Sequence, residues 1–521
     1  MISILIAMAL LAQQVSAPVA PTTRVAGRVI NTLNNEAVGK ATVILRAHDE
    51  EQGLSYATET DGNGNFSVDN VEPGTYAVSA ERPGFDMQST GATGAPPPEI
   101  KVESGQQVKD VQIRLTPLGV ITGRVLDADG DPVRGAIVNA LRYAYSNGKK
   151  QLRDVEQVES GDSGEFRLFG LRAGTFYLKA TRSQRNSIAN LPEAVATYYP
   201  STIDPSHAVA VEVRAGVQLQ GFDIRLQSAR GYSIRFELPE GEGFSNVQGM
   251  LLNEQGFVPV PGGGSQGSLF FGPVAPGSYD AVFTRGMGEE KPSYALKHVE
   301  VVDADVEGGT VTFLSGVDVT GSVRVEGGRF SGLAKLRINL RSKYRDLPLA
   351  INPDGSFLLK NAAPEIYEVT VSRVPGVYLK SVRMGDKQLA DRRIDLASKT
   401  DALTIVLGAD VGEVEGSVRN AKGDPVARAR VNAIAYGDHS SRTDLNRFAF
   451  TDDMGEFKIK DVPPGEYKIF AWEDVPVGAP QDPEFRKPFE KQAVPLRMPP
   501  NGHEKVSVTA IAPAPVERSS P

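Results

Sequence analysis

The chain has 521 residues, a formal net charge of −8 and no Cys. Without Cys there can be no disulfide, thiolate metal site or Cys nucleophile, and an acidic chain with no Lys/Arg block lacks the basic face that nucleic-acid binding needs. Hydrophobic residues at 40% can build packed cores, while 53 Gly and 35 Pro favour many short elements over long helices; at roughly 100–150 residues per domain, the length suggests about four or five domains.

The sequence opens MISILIAMALLAQQVSA. The run from Ile2 to Ala12 has the length of a signal-peptide apolar region and is too short to span a bilayer. Val15 and Ala17 fit the small-residue cleavage pattern, although no Lys or Arg precedes the run. Residues 1–17 are therefore expected to be a signal peptide, and the protein is expected to be exported, whether periplasmic, cell-surface or secreted. Nothing later approaches the ~20 apolar residues of a membrane helix, so no membrane span is expected in the mature chain.

A motif then recurs about every hundred residues. It reads Gly-x-Phe, followed ten residues after the Phe by an aromatic that usually follows Gly-x. Copy one places Gly64, Phe66, Gly74 and Tyr76; copy two Gly164, Phe166, Gly174 and Phe176. Copy three places Gly267, Leu269, Gly277 and Tyr279; copy four Gly355, Phe357 and Tyr367, with Glu365 in place of the second Gly. Copy five places Gly455, Phe457, Gly465 and Tyr467. Asp or Asn with Gly makes a tight hairpin turn, because Gly accepts positive φ. The Phe then starts a strand on its inward face, Pro-Gly makes a second turn, and the aromatic enters the next strand, with Tyr76, Val78 and Ala80 alternating inward. A Tyr at this corner can tie its hydroxyl to nearby backbone.

Upstream of the motif, repeats one, two and five share VAGRVIN, ITGRVLDADGDPVRGAIVNAL and VEGSVRNAKGDPVARARVNAI. Repeat four keeps VTGSVRV but lacks the Gly-Asp-Pro-Val turn, and repeat three is the most degenerate. Downstream, each repeat closes on an alternating strand such as Val111-x-Ile113-x-Leu115 or Leu403-x-Ile405-x-Leu407. About seven short strands per repeat predict an all-β chain of five tandem antiparallel Greek-key sandwiches. The expected spans are 18–116, 117–228 with an insertion, 229–315, 316–408 and 409–512, with a disordered tail at 513–521. Short joints such as 116–119 and 407–410 predict a semi-rigid rod.

Three segments imitate catalytic or metal motifs. His48-x-x-Glu51 imitates a zinc-peptidase pair, but no third ligand is evident. Gly263-Gly264-Ser265-Gln266-Gly267 matches G-x-S-x-G, but a nucleophile elbow needs a helix after it, and here a strand follows. Asp61, Asn63, Asn65 and Glu72 imitate a calcium loop, but Phe66 stands where Gly is required. All three read as loops and turns; no catalytic residue, metal or cofactor is expected.

The T-G-R-V…G-D-P-V-x-G-A-x-V opening and the D-x-x-G-x-F…P-G-x-Y centre resemble the carboxypeptidase regulatory-like domain, which has a transthyretin-like or starch-binding-like sandwich and occurs in tandem on exported bacterial proteins. The resemblance is close in repeats one, two and five, partial in four, and confined to the centre in three. It implies a non-catalytic accessory role, and the relation to polysaccharide-binding sandwiches implies a polysaccharide or surface glycan as ligand. A structural spacer or scaffold that docks other envelope proteins and binds no sugar is the alternative, and a hydrolase the distant one. Outward aromatics are the candidate ligand residues: Phe470 and Trp472, the only Trp, and Tyr198 and Tyr199 in the insertion of repeat two. The opposing expectation is that the Pro-rich segment 478–495 covers Phe470 and Trp472, and that the tyrosines pack on a sandwich.

Overall fold

The computed structural model describes residues 23–48, 54–86, 98–146, 149–182, 196–227, 231–239, 246–253, 256–258, 262–265, 267–288, 290–330, 332–333, 336–389, 391–398 and 401–512. The expected signal peptide at 1–17 and tail at 513–521 lie outside these residues. The protein is all-β, built of sandwiches. In repeat one, Arg24–Asn31, Asn65–Asp69, Gln107–Pro117 and Phe85–Asp86 form one sheet, and Thr42–Ala47, Ser55–Glu59, Gly74–Glu81 and Glu99–Val102 form the other. Tyr76, Val78 and Ala80 all face inward, each no more than 2% exposed. Gly64 takes a φ of 76°, which the hairpin before Phe66 requires.

Pairing is antiparallel throughout each sandwich except along the closing strand. The closing strand lies parallel to the opening strand, as in Val29↔Ile113, Val323↔Ile405 and Val418↔Val508. A wholly antiparallel arrangement was expected; the parallel pair arises because the last strand returns across the sandwich to the first strand's free edge. Repeats two, three and four also have two sheets each. In repeat five the two sheets join, because Ala471 and Trp472 pair with Ala510 and Ile511. Five of the hydrophobic clusters draw their buried members from one repeat each, and a sixth gathers Ile434, Phe470, Trp472, Val475, Ala479 and Ile511.

The structure explains the Gly in the opening strand. It pairs across the ladder with the motif Phe: Gly27↔Phe66, Gly123↔Phe166, Gly321↔Phe357 and Gly416↔Phe457. A Cβ on Gly416 would stand 1.9 Å from the Val506 carbonyl oxygen and 3.0 Å from the Phe457 ring. The Phe ring therefore lies across the glycine, close against the parallel strand. Repeat three inverts the pair. Phe236 occupies the glycine position, Leu269 the Phe position, and Gly308 on the parallel strand makes room for the ring. Phe236 is fully buried and meets Phe283 edge-on at 5.1 Å. Repeat three is thus a size-swapped solution of the same core, which explains its divergence.

A second device lies six residues before the motif Phe. Thr60, Ser160 and Thr451 are buried hydroxyls. Thr451 accepts from the Ala429 amide at 2.8 Å and donates to the Val426 carbonyl at 2.6 Å. Thr60 and Ser160 bridge the same two positions in their repeats. These bridges hold the turn that contains Pro132-Val133 or Pro425-Val426, and Ala37-Val38 in repeat one, to the sandwich. Repeat four, which lacks that turn, has Ile351 at the equivalent place.

Candidate functional site

The expected ligand aromatics are covered. Phe470 is 0% and Trp472 2% exposed. They stack on each other at 5.2 Å, and the segment after the strand folds back over them with Val475, Ala479, Phe485 and Phe489. Asp482 caps a short turn of α-helix, Pro483–Arg486, by accepting from the Glu484 amide, and so fixes Phe485 6.5 Å from the Trp472 ring. The expectation of exposed stacking rings is therefore corrected: burial of two large aromatics outweighs display. Tyr198 is 6% exposed, and Tyr199 packs on repeat two's own core, 5.2 Å from Phe222.

The imitated motifs fall on a loop and on two hairpins. His48 is largely exposed and sits 3.0 Å from Glu99, while Glu51 lies outside the described residues. Gly262–Ser265 is a strand paired with Ser268–Val274, so Ser265 lies in a hairpin. One carboxylate oxygen of Asp61 accepts from the Asn63 and Asn65 amides at 2.9 and 2.8 Å, which is hairpin chemistry. The tyrosine corner forms in repeats one and three, where Tyr76 donates to the Glu72 carbonyl and Tyr279 to that of Ala275, both at 2.8 Å. In repeats four and five the hydroxyls of Tyr367 and Tyr467 are buried without such a bond among the described residues. In repeat four the Ala363 carbonyl, four residues before the Tyr, is instead taken by the Glu365 amide.

The joints between repeats carry the polar chemistry that sequence reading missed. Between three and four, Asp280 faces Lys343, accepts from the Tyr344 hydroxyl at 3.1 Å and meets His298 at 2.8 Å. Tyr294 donates to the Asn361 carbonyl at 2.8 Å, under the Arg345 guanidinium. Between four and five, Arg392 is forked between Glu368 at 2.8 Å and Asp444 at 2.9 Å. Arg442 grips the same Asp444 with two bonds of 2.9 Å and donates to the Leu379 carbonyl. Burial alone would raise the Asp444 carboxyl; the bonds and charge of Arg442 and the charge of Arg392 outweigh it and hold it below the usual range. Between one and two, Arg172 reaches Asp86 at 2.8 Å.

Repeats two and five also touch. The Tyr145 ring meets Phe485 edge-on at 5.8 Å, and a Cβ on Gly478 would stand 2.8 Å from the Tyr145 carbonyl. The chain therefore curves back on itself, which corrects the expected rod. Short joints limit flexing but leave the direction of the next repeat to side-chain contacts.

The joint of four and five opens into a cleft of about 790 Å³. The loop and edge strands of repeat four form one wall with Ser381, Gln388 and Arg393; Asp438, His439 and Ser441 of repeat five face them. Most charges on the walls are already matched, Lys380 by Glu326 and Arg341 by Asp346, each at 2.9 Å. These residues lie in segments that belong to no repeat motif, so the only available signal was the charged strings themselves. Among the described residues, no cluster of three or more His, Asp or Glu is placed to hold a metal ion, and no helix is long and apolar enough to cross a membrane.

Solved structures similar to the chain include the minor pilin GBS52 of Streptococcus agalactiae, at 12% identity over 40% of this chain and 96% of that one, with a TM-score of 0.22. The shaft pilin SpaA of Lactobacillus rhamnosus GG is 10% identical over 40% and 98%, with a TM-score of 0.21. BcpA, the major pilin subunit of Bacillus cereus, is 10% identical over 75% and 99%, with a TM-score of 0.15. No curated protein matches the chain. The chain is a tandem β-sandwich protein, and residues 24–116, its first repeat, match the family model of the carboxypeptidase regulatory-like domain.

Proposed function

We propose that this is a non-catalytic, exported structural scaffold, in which the five repeat spans are domains held at fixed angles to dock other envelope proteins. The joints carry this reading. Arg392, with only a tenth of its side chain exposed, ties repeat four to Asp444 of repeat five. Asp280, equally shielded, ties repeat three to Lys343 and Tyr344 of repeat four. Freely hinged modules gain nothing from such shielded polar bridges, which cost desolvation and return it only when the partners stay in register. The burial of Phe470 and Trp472 favours this reading over glycan binding through exposed rings. Small-angle scattering tests it. One rigid curved envelope should fit the native chain, and Asp444→Ala with Asp280→Ala should broaden the distance distribution. A native chain that already requires an ensemble of domain orientations would defeat the proposal.

A further inference from the structure

We propose that the cleft between repeats four and five is a binding site for a neutral, polyhydroxylated ligand, a short stretch of uncharged glycan. The site is independent of the rings originally expected to bind sugar. Its volume of about 790 Å³ is continued by a second hollow of about 420 Å³ that shares Lys380, Ser381, Gln388, His439 and Arg442. Each hollow lies within the size range of ligand sites, and the shared lining makes them one continuous trough.

The class of ligand follows from the groups left unused. Ser381, Gln388, Arg393, Asp438, His439 and Ser441 line the cleft, and their side chains make no hydrogen bond or ion pair among the described residues. They supply donors and acceptors side by side, which suits hydroxyls that donate and accept at once. Charge does not single out an anion. The free Arg393 is offset by Asp391 and Asp438 on the same walls, and the remaining wall cations are paired. Nor is there a deep apolar pocket for a peptide anchor, since only Ile366 and Leu389 are apolar on the main walls, and Ile366 is 54% exposed. The walls are also fixed beforehand. Arg392, 8% exposed, lines the cleft with its guanidinium tied to both repeats, and its Nε stays unpartnered. A pre-set wall saves ordering cost on binding.

Isothermal titration of the full chain tests this with maltohexaose, cellohexaose, xylohexaose and mannohexaose, beside hexagalacturonate and a neutral decapeptide. At least one neutral hexaose should bind and saturate at millimolar concentrations or below. Gln388→Ala combined with Arg393→Ala should weaken that binding at least tenfold, while the Trp472 fluorescence melt stays unchanged. Three results would overturn the proposal: no neutral hexaose binding, binding that survives the double variant, or preference for hexagalacturonate or the peptide. The scaffold reading is judged separately by scattering, so the failure of one is distinguishable from the failure of the other.

Discussion

Substituting Gly416 by Ala should destabilise repeat five by about 2 kcal/mol. The new Cβ would stand 1.9 Å from the Val506 carbonyl oxygen, a backbone atom that cannot turn aside. The parallel pairing Gly416↔Val506 must therefore open, and the Phe457 ring, 3.0 Å away, must shift as well. Overpacking of this kind costs about 1–3 kcal/mol. Replacing Gly within a strand returns about 0.5–1 kcal/mol of chain entropy, which moderates the upper end of that range. For a domain of about 100 residues, each kcal/mol moves the melting temperature by roughly 4–8 °C, so a fall of roughly 8–16 °C is expected. Trp472 is the only Trp and lies in repeat five, so its fluorescence reports this domain within the intact chain. Adding Phe457→Leu should rescue little, because the carbonyl is the nearer obstacle. A melt unchanged by Gly416→Ala would refute the account of the Gly–Phe pair, and full rescue by Phe457→Leu would refute the weight given to the carbonyl.

Further outcomes follow from the same contacts. Thr451→Val removes the hydroxyl that serves the Ala429 amide and the Val426 carbonyl; leaving them unpaired should cost about 1–3 kcal/mol in the same fluorescence melt. Trp472→Ala should cost about 3–5 kcal/mol, as a core truncation does, and should leave retention on insoluble polysaccharides unchanged. Asp444 has a depressed carboxyl pKa in the folded joint, so its contribution is present above the unfolded value of about 3.9 and lost as pH falls through the lower folded value. Hydrogen exchange at the Gly376 amide, which crosses this joint to Asp461 at 2.8 Å, should accelerate more in acid, relative to a distant amide of repeat one, than intrinsic exchange rates predict. Phe485→Ala should release Tyr145 and lengthen the maximum dimension seen by scattering.

The sandwich was legible because its turns repeat. Gly64 and its counterparts mark hairpins by conformational need, and the inward alternation of Tyr76, Val78 and Ala80 follows from strand geometry. Repeat three was obscured because Phe236, Leu269 and Gly308 exchange sizes across three strands, which pattern matching in a single strand cannot see. Trp472 pointed outward from its strand as the alternation required, but the helix turn that covers it comes from a segment with no repeat counterpart. The joints and the cleft were illegible for the same reason. Arg392 and Asp444 are fifty-two residues apart in the sequence, and each looks like an ordinary surface charge until the domains meet.

Fixed orientation of the repeats is the central claim, and a spin-label distance measures it directly. The chain has no Cys, so Val302→Cys and Met454→Cys, at positions 70% and 72% exposed, would carry the only two labels. They report repeats three and five across both shielded joints. The account predicts one narrow distance peak that broadens when Asp280 and Asp444 are both replaced by Ala. A broad distribution in the otherwise native chain would contradict it.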